Sequence, residues 1–374
     1  GSVVAPGSGT STGGTPSGTG DPPPYTGGDG DDDDEEPPSY TATAATYAEL
    51  VAALADSRAI AVTITGEVTI PADAAVTANK PVTVDSRQGA ILTIGESARL
   101  VNSSTLTSAE KTGITGPGTD TGLVIEGGTL ENTGVFVNNS RLGVFKGTIV
   151  NSGTVTSNEW IHGLGLAIHN SGSLNIVGSS LTLRDTGDTG FPEEIAAPTY
   201  SSLENASGAG LFVSGGGSIE VGAGSTVTNS GTAVNGAGCS VENYGTLTND
   251  GTFTNRGFIL NAGTIDGGVG VTNDGADAEV RRSLTVTDEA ELRAGASALD
   301  PEYSGMIVLG DIQLAADLAL AEPVEIHRSA ALTVPSGVTL TVAYSDSEWT
   351  ELMVRGTLSV LSGGSLVTTT NGLE

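Results

Sequence analysis

The feature that most restricts this chain is a short unit, Asn-x-Gly-x-apolar, that recurs at two related spacings. Copies 19 residues apart stand at Asn132-Thr-Gly134-Val-Phe136, Asn151-Ser-Gly153-Thr-Val155 and Asn170-Ser-Gly172-Ser-Leu174. Others follow every 6 residues: Asn243-Tyr-Gly245-Thr-Leu247, Asn249-Asp-Gly251-Thr-Phe253, Asn255-Arg-Gly257-Phe-Ile259 and Asn261-Ala-Gly263-Thr-Ile265. Three steps of 6 nearly equal one step of 19, so both spacings describe a coil of three short sides with a corner at each Asn-x-Gly. Ordinary hairpins do not account for both spacings, and a parallel solenoid does. At a corner, Gly supplies either a positive φ or a close backbone approach. Asn tolerates the left-handed region and bonds nearby backbone, and stacked Asn side chains can pair along a ladder. The apolar residue points inward, so Phe136, Val155 and Leu174 are expected above one another.

Between corners the chain alternates apolar and polar residues, as in Val62-Thr-Ile64, Val68-Thr-Ile70, Val82-Thr-Val84 and Leu92-Thr-Ile94. That is the period of a half-buried strand. Aromatic residues make up only 4% of the chain and Gly accounts for 55 positions, so a core must come from many small aliphatic contributions. A stack of coils can do this because each turn covers only its neighbours. The expected fold is all-β: a parallel β-helix over residues 44–374, of about sixteen coils and ~80 Å at ~4.8 Å per coil. Thr46-Tyr47-Ala48-Glu49 fits a capping box, followed by Leu50, Val51 and Leu54 on one face, which predicts a short helix capping the first coil. No second helix of comparable quality is expected. Residues 1–43, with Pro22-Pro23-Pro24 and the run Asp31 to Glu36, are too poor in apolar side chains to fold and read as an acidic disordered linker.

The formal charge is −30, from 44 acids and 14 bases, which argues against nucleic acid as a partner and against docking on anionic lipid. No run of about 18 apolar residues is present, so no membrane insertion is expected. Cys239 is the single cysteine, excluding an intramolecular disulfide, and reads as a small buried filler.

The Asn-x-Gly-rich repeats resemble those of filamentous-hemagglutinin-like adhesins. The stretch Leu332-Thr-Val334-Pro-Ser-Gly337-Val-Thr-Leu340-Thr-Val342 is similar to segments of the pectate-lyase-type β-helix superfamily. The resemblance covers about residues 59–370 through pattern alone. It implies right-handed coiling, secretion, and an extracellular or bacterial cell-surface setting.

That resemblance includes polysaccharide lyases and hydrolases, whose chemistry needs particular groups. Hydrolysis of glycosides needs paired carboxylates at fixed separation, whereas the acids Asp185, Asp188, Glu193, Glu194, Asp346 and Glu348 are scattered singly. The Asp pair, Gly-His-Gly and Arg-x-Lys set of polygalacturonase-like enzymes is missing. Arg184 beside Asp185 and Asp188 is the nearest approach to a lyase-like group and reads as surface salt bridging. His162 and His169 are too few for zinc and read as one outward and one turn residue. No catalytic residue, cofactor or metal is expected.

The repeat breaks at 185–206, 296–305 and 343–350, and insertions in a solenoid become loops that often bind. Phe191, Tyr200, Tyr303, Tyr344 and Trp349 in those breaks are the candidate ligand-binding residues, facing a glycan or a host or matrix protein. The expected function is a non-enzymatic surface protein, adhesin or structural stalk. The alternative is a carbohydrate-active β-helix enzyme with an unrecognised site.

Overall fold

A computed structural model describes residues 38–109, 121–186, 198–344 and 352–370. The chain from Ser39 onward forms one compact unit. It is a parallel β-solenoid of about 14 turns. Strands take up 53% of it and the described residues hold two α-helices, so the class is all-β.

The turns are divided between two stacks. In the first, consecutive strands visit three faces in rotation, giving parallel sheets of eleven, ten and nine strands. One turn runs from Val135–Asn138 on the first face, through Arg141–Phe145 on the second, to Thr148–Asn151 on the third. The next turn begins at Thr154, 19 residues on, in register. Phe136, Val155 and Leu174 stand one above another and are buried, as the inward reading expected.

The corner between the third and first faces is built on an asparagine ladder. Each Asn side chain donates to the Oδ1 of the Asn one turn on: Asn102 to Asn132 (2.7 Å), Asn132 to Asn151 (2.8 Å) and Asn151 to Asn170 (2.7 Å). The series continues from Asn170 to Asn205 (2.7 Å), Asn205 to Asn229 (2.6 Å) and Asn229 to Asn249 (2.7 Å). The same amides also donate to a backbone carbonyl of the next turn, as Asn132 does to Thr154 at 3.0 Å. A buried amide is tolerated there because its donors and acceptor are paired. The glycine of the unit settles one of two alternatives. Gly134, Gly153 and Gly172 do not have positive φ. A Cβ on Gly153 would strike the carbonyl oxygen of Gly134, and one on Gly172 that of Gly153. The corner needs Gly because successive turns approach too closely for a side chain, not for handedness of the backbone.

The helix α1, Tyr47–Ala55, closes the first end of this stack. Its capping box is complete: Thr46 Oγ1 accepts from the Glu49 N–H at 3.3 Å, and the Glu49 carboxylate accepts from the Ala45 and Thr46 N–H groups at 2.8 and 3.1 Å. Such a cap contributes about 1 kcal/mol. Leu50, Ala53 and Leu54 are buried, while Val51, expected on the same face, is exposed. Order also starts earlier than the expected boundary at 44. Tyr40–Ala44 is a strand paired with Ala59–Ile64, its Ala42 and Ala44 being inward residues that a Thr-rich context disguises. Residues 1–37 of the expected linker lie outside the described residues.

The second stack replaces the single continuous rod that the repeat suggested. From Leu284 onward a new set of parallel sheets of four, three and three strands encloses a separate core of Val286, Met306, Val308, Leu320, Ile326, Leu332 and Leu340. Its first strand, Leu284–Val286, is followed by a helix of its own, α2 (Glu289–Ser297), where the sequence predicts no second helix. Asp288 accepts from the Glu291 N–H at 2.9 Å and Leu292 is fully buried. The expected break at 296–305 thus begins in the last turn of α2.

The other two breaks are also shorter than expected. Ser202–Asn205 is a strand of the third face and carries a ladder Asn, so only part of 185–206 departs from the repeat. Tyr344 ends the strand Thr339–Tyr344. Cys239 is buried in the first core, as expected for a filler.

Candidate functional site: the groove where two stacks meet

Outward side chains on the ten-stranded second face form a column, one per turn: His162, Thr182, Glu220, Glu242, Leu260 and Arg281. Many outward positions of the first stack are Thr or Ser, whereas this column carries two carboxylates in succession. The four-stranded sheet of the second stack presents a matching column, Ile307, Glu325 and Met353. The strands Met306–Val308 and Val324–Ile326 are buried at every position, which means that both of their sides are covered. One side faces their own core and the other faces the first stack.

The contacts place the second stack back along the first. Ile307 packs with Tyr244 and Ala262. One turn on, Glu325 accepts from the Tyr244 hydroxyl at 3.2 Å, and beyond it Arg328 is bonded to Glu220. Arg355 bridges the stacks, donating to Glu242 at 2.6 Å and pairing with Glu325 at 3.4 Å. Arg184 closes the set through Glu220 at 3.0 Å, both side chains being about one-tenth exposed. His327 lies against the Tyr244 ring with centroids 4.6 Å apart, and its Nδ1 is 2.7 Å from Ser329 Oγ.

Electrostatics follow from this burial. Removing charge from water is costly unless it is matched, and here three arginines meet three glutamates. Burial raises the Glu325 carboxyl above its ordinary range, partly offset by Arg355. Burial, with Glu242 and Glu325 beside it, also pushes the Tyr244 hydroxyl up and keeps it a neutral donor. His327 is held down at about 4, first by burial and then by Arg184 and Arg355.

Where the second stack's cover stops, a groove of about 400 Å³ opens, lined by Trp160, His162, Thr182, Arg184, Glu220 and Arg328 among others. Trp160 is 52% exposed, and Arg141 lies over one face of its ring at 4.9 Å from the centroid. His162 receives or donates a hydrogen bond with Thr182 at 3.1 Å. Its pKa is lowered by burial and by the charges of Arg184 and Arg141. A second cavity of about 460 Å³ lies between the stacks, among Phe258, Leu260, Arg281, Met306, Ile307 and Met353.

The expected site residues are placed differently. Tyr200 is exposed at a corner between the second and third faces and leans over Gly224 of the next turn. Tyr303 sits half-exposed between α2 and the strand Met306–Val308. They belong to different stacks, and neither lines the groove. Tyr344 is described only as a strand residue, and Phe191 and Trp349 lie outside the described residues. Arg184 is bonded to Glu220, and Asp188 lies outside the described residues. His162 and His169 are both outward strand residues on different faces, rather than one outward and one at a turn; His169 is 3.2 Å from Glu204. Among the described residues no group of three or more His, Cys, Asp or Glu is placed to hold a metal ion. No helix of the described residues is long and apolar enough to cross a membrane.

The groove residues Trp160, Glu220, Arg328 and Arg355 were not singled out from sequence. The available signal was the carboxylate at the middle outward position of Ser218-Ile-Glu220-Val221, Ser240-Val-Glu242-Asn243 and Val324-Glu325-Ile326. No family model and no curated protein matches this chain.

Proposed function

We propose that this chain is a non-enzymatic extracellular surface protein, an adhesin or structural stalk, whose β-solenoid scaffold presents a recognition surface to a glycan or a host or matrix protein. The observation that carries this reading is how the buried charges are used. Arg184, Glu220, Arg328, Glu242, Arg355 and Glu325 bond to one another across the two stacks, holding scaffold to scaffold. Glu220, Glu242 and Glu325 thus have their oxygens turned to guanidinium groups and serve to join one stack to the other. A rigid stack with paired, buried corners also suits a stalk, since its stiffness is distributed over every turn.

A second reading, a carbohydrate-active enzyme, is favoured by one observation: Trp160, His162, Glu220 and Glu242 line one groove. Two experiments separate the readings. Incubation with pectins, alginates and glycosaminoglycans, with and without Ca²⁺, is expected to release no product. Screening on glycan and matrix-protein arrays is expected to find a binder. Product release that vanishes in Glu220→Gln would install the enzyme in place of the adhesin. A chain that neither turns over nor binds any arrayed component would remove the adhesin and leave the stalk.

A further inference from the structure

The strand Arg141–Phe145 carries a glycine, Gly143, at an outward position of the second face. Glycine weakens a strand, and where one is kept it often marks a place that a ligand or another backbone approaches closely. The other strand glycines of the described residues have a reason inside the fold. A Cβ on Gly122 would strike the hydroxyls of Ser140 and Ser86, one on Gly163 the Leu166 side chain, and one on Gly210 the Phe212 ring. Gly143 has no such reason. Its φ is not positive, and a Cβ there would meet nothing within 4 Å.

Cations and aromatic rings frame this gap. Arg141 stands two residues before it, its guanidinium over the Trp160 ring at 4.9 Å from the centroid. Phe145 stands two residues after it, with the Lys146 ammonium 5.4 Å from its ring centroid. Trp160 and Phe145 are 52% and 40% exposed. Among the described residues every other arginine pairs with a carboxylate, whereas neither Arg141 nor Lys146 does. Glu126, beside Phe145 one turn back, pairs with neither of them. A guanidinium lying on a ring keeps N–H donors at its edge for an anion. In a chain of net charge −30, two unmatched cations on one strand are a local exception.

These features select one kind of partner. Exposed aromatic rings and arginine are the side chains enriched where proteins meet. The outward positions Arg141, Gly143 and Phe145 fall on every second residue, which is the side-chain period of an extended peptide. A segment laid along the strand with the pattern acid-x-apolar-x-acid carries its two acids ~13 Å apart. One acid then reaches Arg141, the other Lys146, and the apolar side chain between them enters the gap. We propose that this face docks an extended acidic segment of a protein partner, its acids on Arg141 and Lys146 and an apolar side chain over Gly143. This rests on the reading of the chain as a binding scaffold and supplies the partner's chemistry. The acidic surface elsewhere repels such a segment, so charge confines it to this face.

Fluorescence anisotropy of a labelled peptide, Thr-Glu-Thr-Leu-Thr-Glu-Thr, titrated with the whole chain at low salt tests the proposal. The same peptide with Gln in place of both Glu, and a hexamer of glucuronate, serve as comparisons. The Glu peptide should bind about ten-fold or more tighter than the Gln peptide, and tighter than the sugar. Gly143→Leu should weaken it about ten-fold. Its melting temperature should match that of the parent chain, because the new side chain fills the gap and touches nothing in the fold. Arg141→Gln should weaken binding and flatten its dependence on salt. A Glu peptide silent at millimolar concentration would overturn the proposal, as would a Gln peptide that binds as well. Binding that survives Gly143→Leu, or a sugar that binds tighter than the peptide, would overturn it too. Each of these results leaves the binding-scaffold reading in place with another site or ligand. Failure of that broader reading has a different signature, the empty arrays described above.

Discussion

The two stacks solve the same problem by different means. Both begin with a strand, then a nine-residue helix with an N-cap side chain and a glutamate three residues later, Thr46 and Glu49 in one, Asp288 and Glu291 in the other. Both put a leucine, Leu50 or Leu292, into the open end of the core. After that they diverge. The first stack holds its third corner with the ladder running from Asn102 to Asn249. The second contains no asparagine between Asn273 and Asn371. Its corners are turns such as Val334-Pro-Ser-Gly337-Val338, where Gly337 has φ +80° and Val338 donates to the Pro335 carbonyl at 3.2 Å. A ladder ties the buried side chains of each turn to the turns above and below; the glycine turn has no such side-chain tie and meets the next turn through backbone alone, the Gly337 N–H donating to the Gly363 carbonyl at 2.8 Å. The long stack therefore holds itself in register, while the short one leans on its partner through the arginine–glutamate cluster.

That contrast is sharpest at Asn151. Its replacement by Ala leaves the Asn170 side-chain carbonyl without its Asn donor in a buried corner, takes one acceptor from the Asn132 amide, which keeps Thr154, and removes a donor from the Ser173 carbonyl. At ~1–3 kcal/mol for the orphaned carbonyl and about 1 kcal/mol for the lost bonds, the expected loss is about 2–4 kcal/mol. Hydrogen exchange should locate it in the first stack, with the sheets of the second little changed. Equal loss in both stacks would break the distinction.

Next in size is Arg355→Ala, which removes the bridge to Glu242 and Glu325. Because Arg355 is about one-third exposed, the expected cost is discounted to about 2 kcal/mol. Here the strands Met306–Val308 and Val324–Ile326 should lose protection while the Asn ladder keeps its own.

A smaller effect should appear with pH. His327 titrates at about 4 when folded, against ~6.5 unfolded, so the folded chain binds fewer protons in that window. Its contribution is complete above pH ~6.5 and is lost as pH falls toward 4. Glu325, raised by burial, works in the opposite sense near the acid end and offsets part of this contribution. Melting curves from pH 7 to 4.5 should fall less steeply for His327→Gln than for the parent chain. The smallest effect belongs to Arg256→Ala. Arg256 and Asp274 are both more than half exposed, and removing their 2.9 Å pair should cost under ~0.5 kcal/mol.

The first stack was legible because its physics is local and repeated. Asn151, Gly153 and Val155 each have one task, and the same task returns every turn. The capping box at Thr46 was legible for the same reason. What escaped was the reversal. Leu292 is the one large apolar residue of α2, and Gly295 within it weakens the helical signal. Trp160 and Arg355 stand nearly 200 residues apart and share a groove only because the second stack turns back. Alternating strand patterns are identical in a straight and a reversed solenoid, so periodicity carries no information on that point. Tyr200 and Tyr303 stand at breaks in the repeat, which a sequence displays, whereas the groove arises on a regular face at the margin of a second stack, which it does not. The run of asparagines that ends at Asn273 was the available sign that one stack stops there.

The reversal itself is the claim on which the groove and the charge cluster both depend. Spin labels at Glu159→Cys and Val354→Cys flank Trp160 and Arg355, and Cys239, buried, leaves the pair free of a third label. In a continuous rod these positions would lie about eight coils apart, or ~38 Å at ~4.8 Å per coil. Electron–electron distance measurement should instead return a single narrow distribution well short of that separation, collapsing toward longer distances in Arg355→Ala. A distribution centred near the continuous-rod value in the parent chain would contradict the reversed second stack.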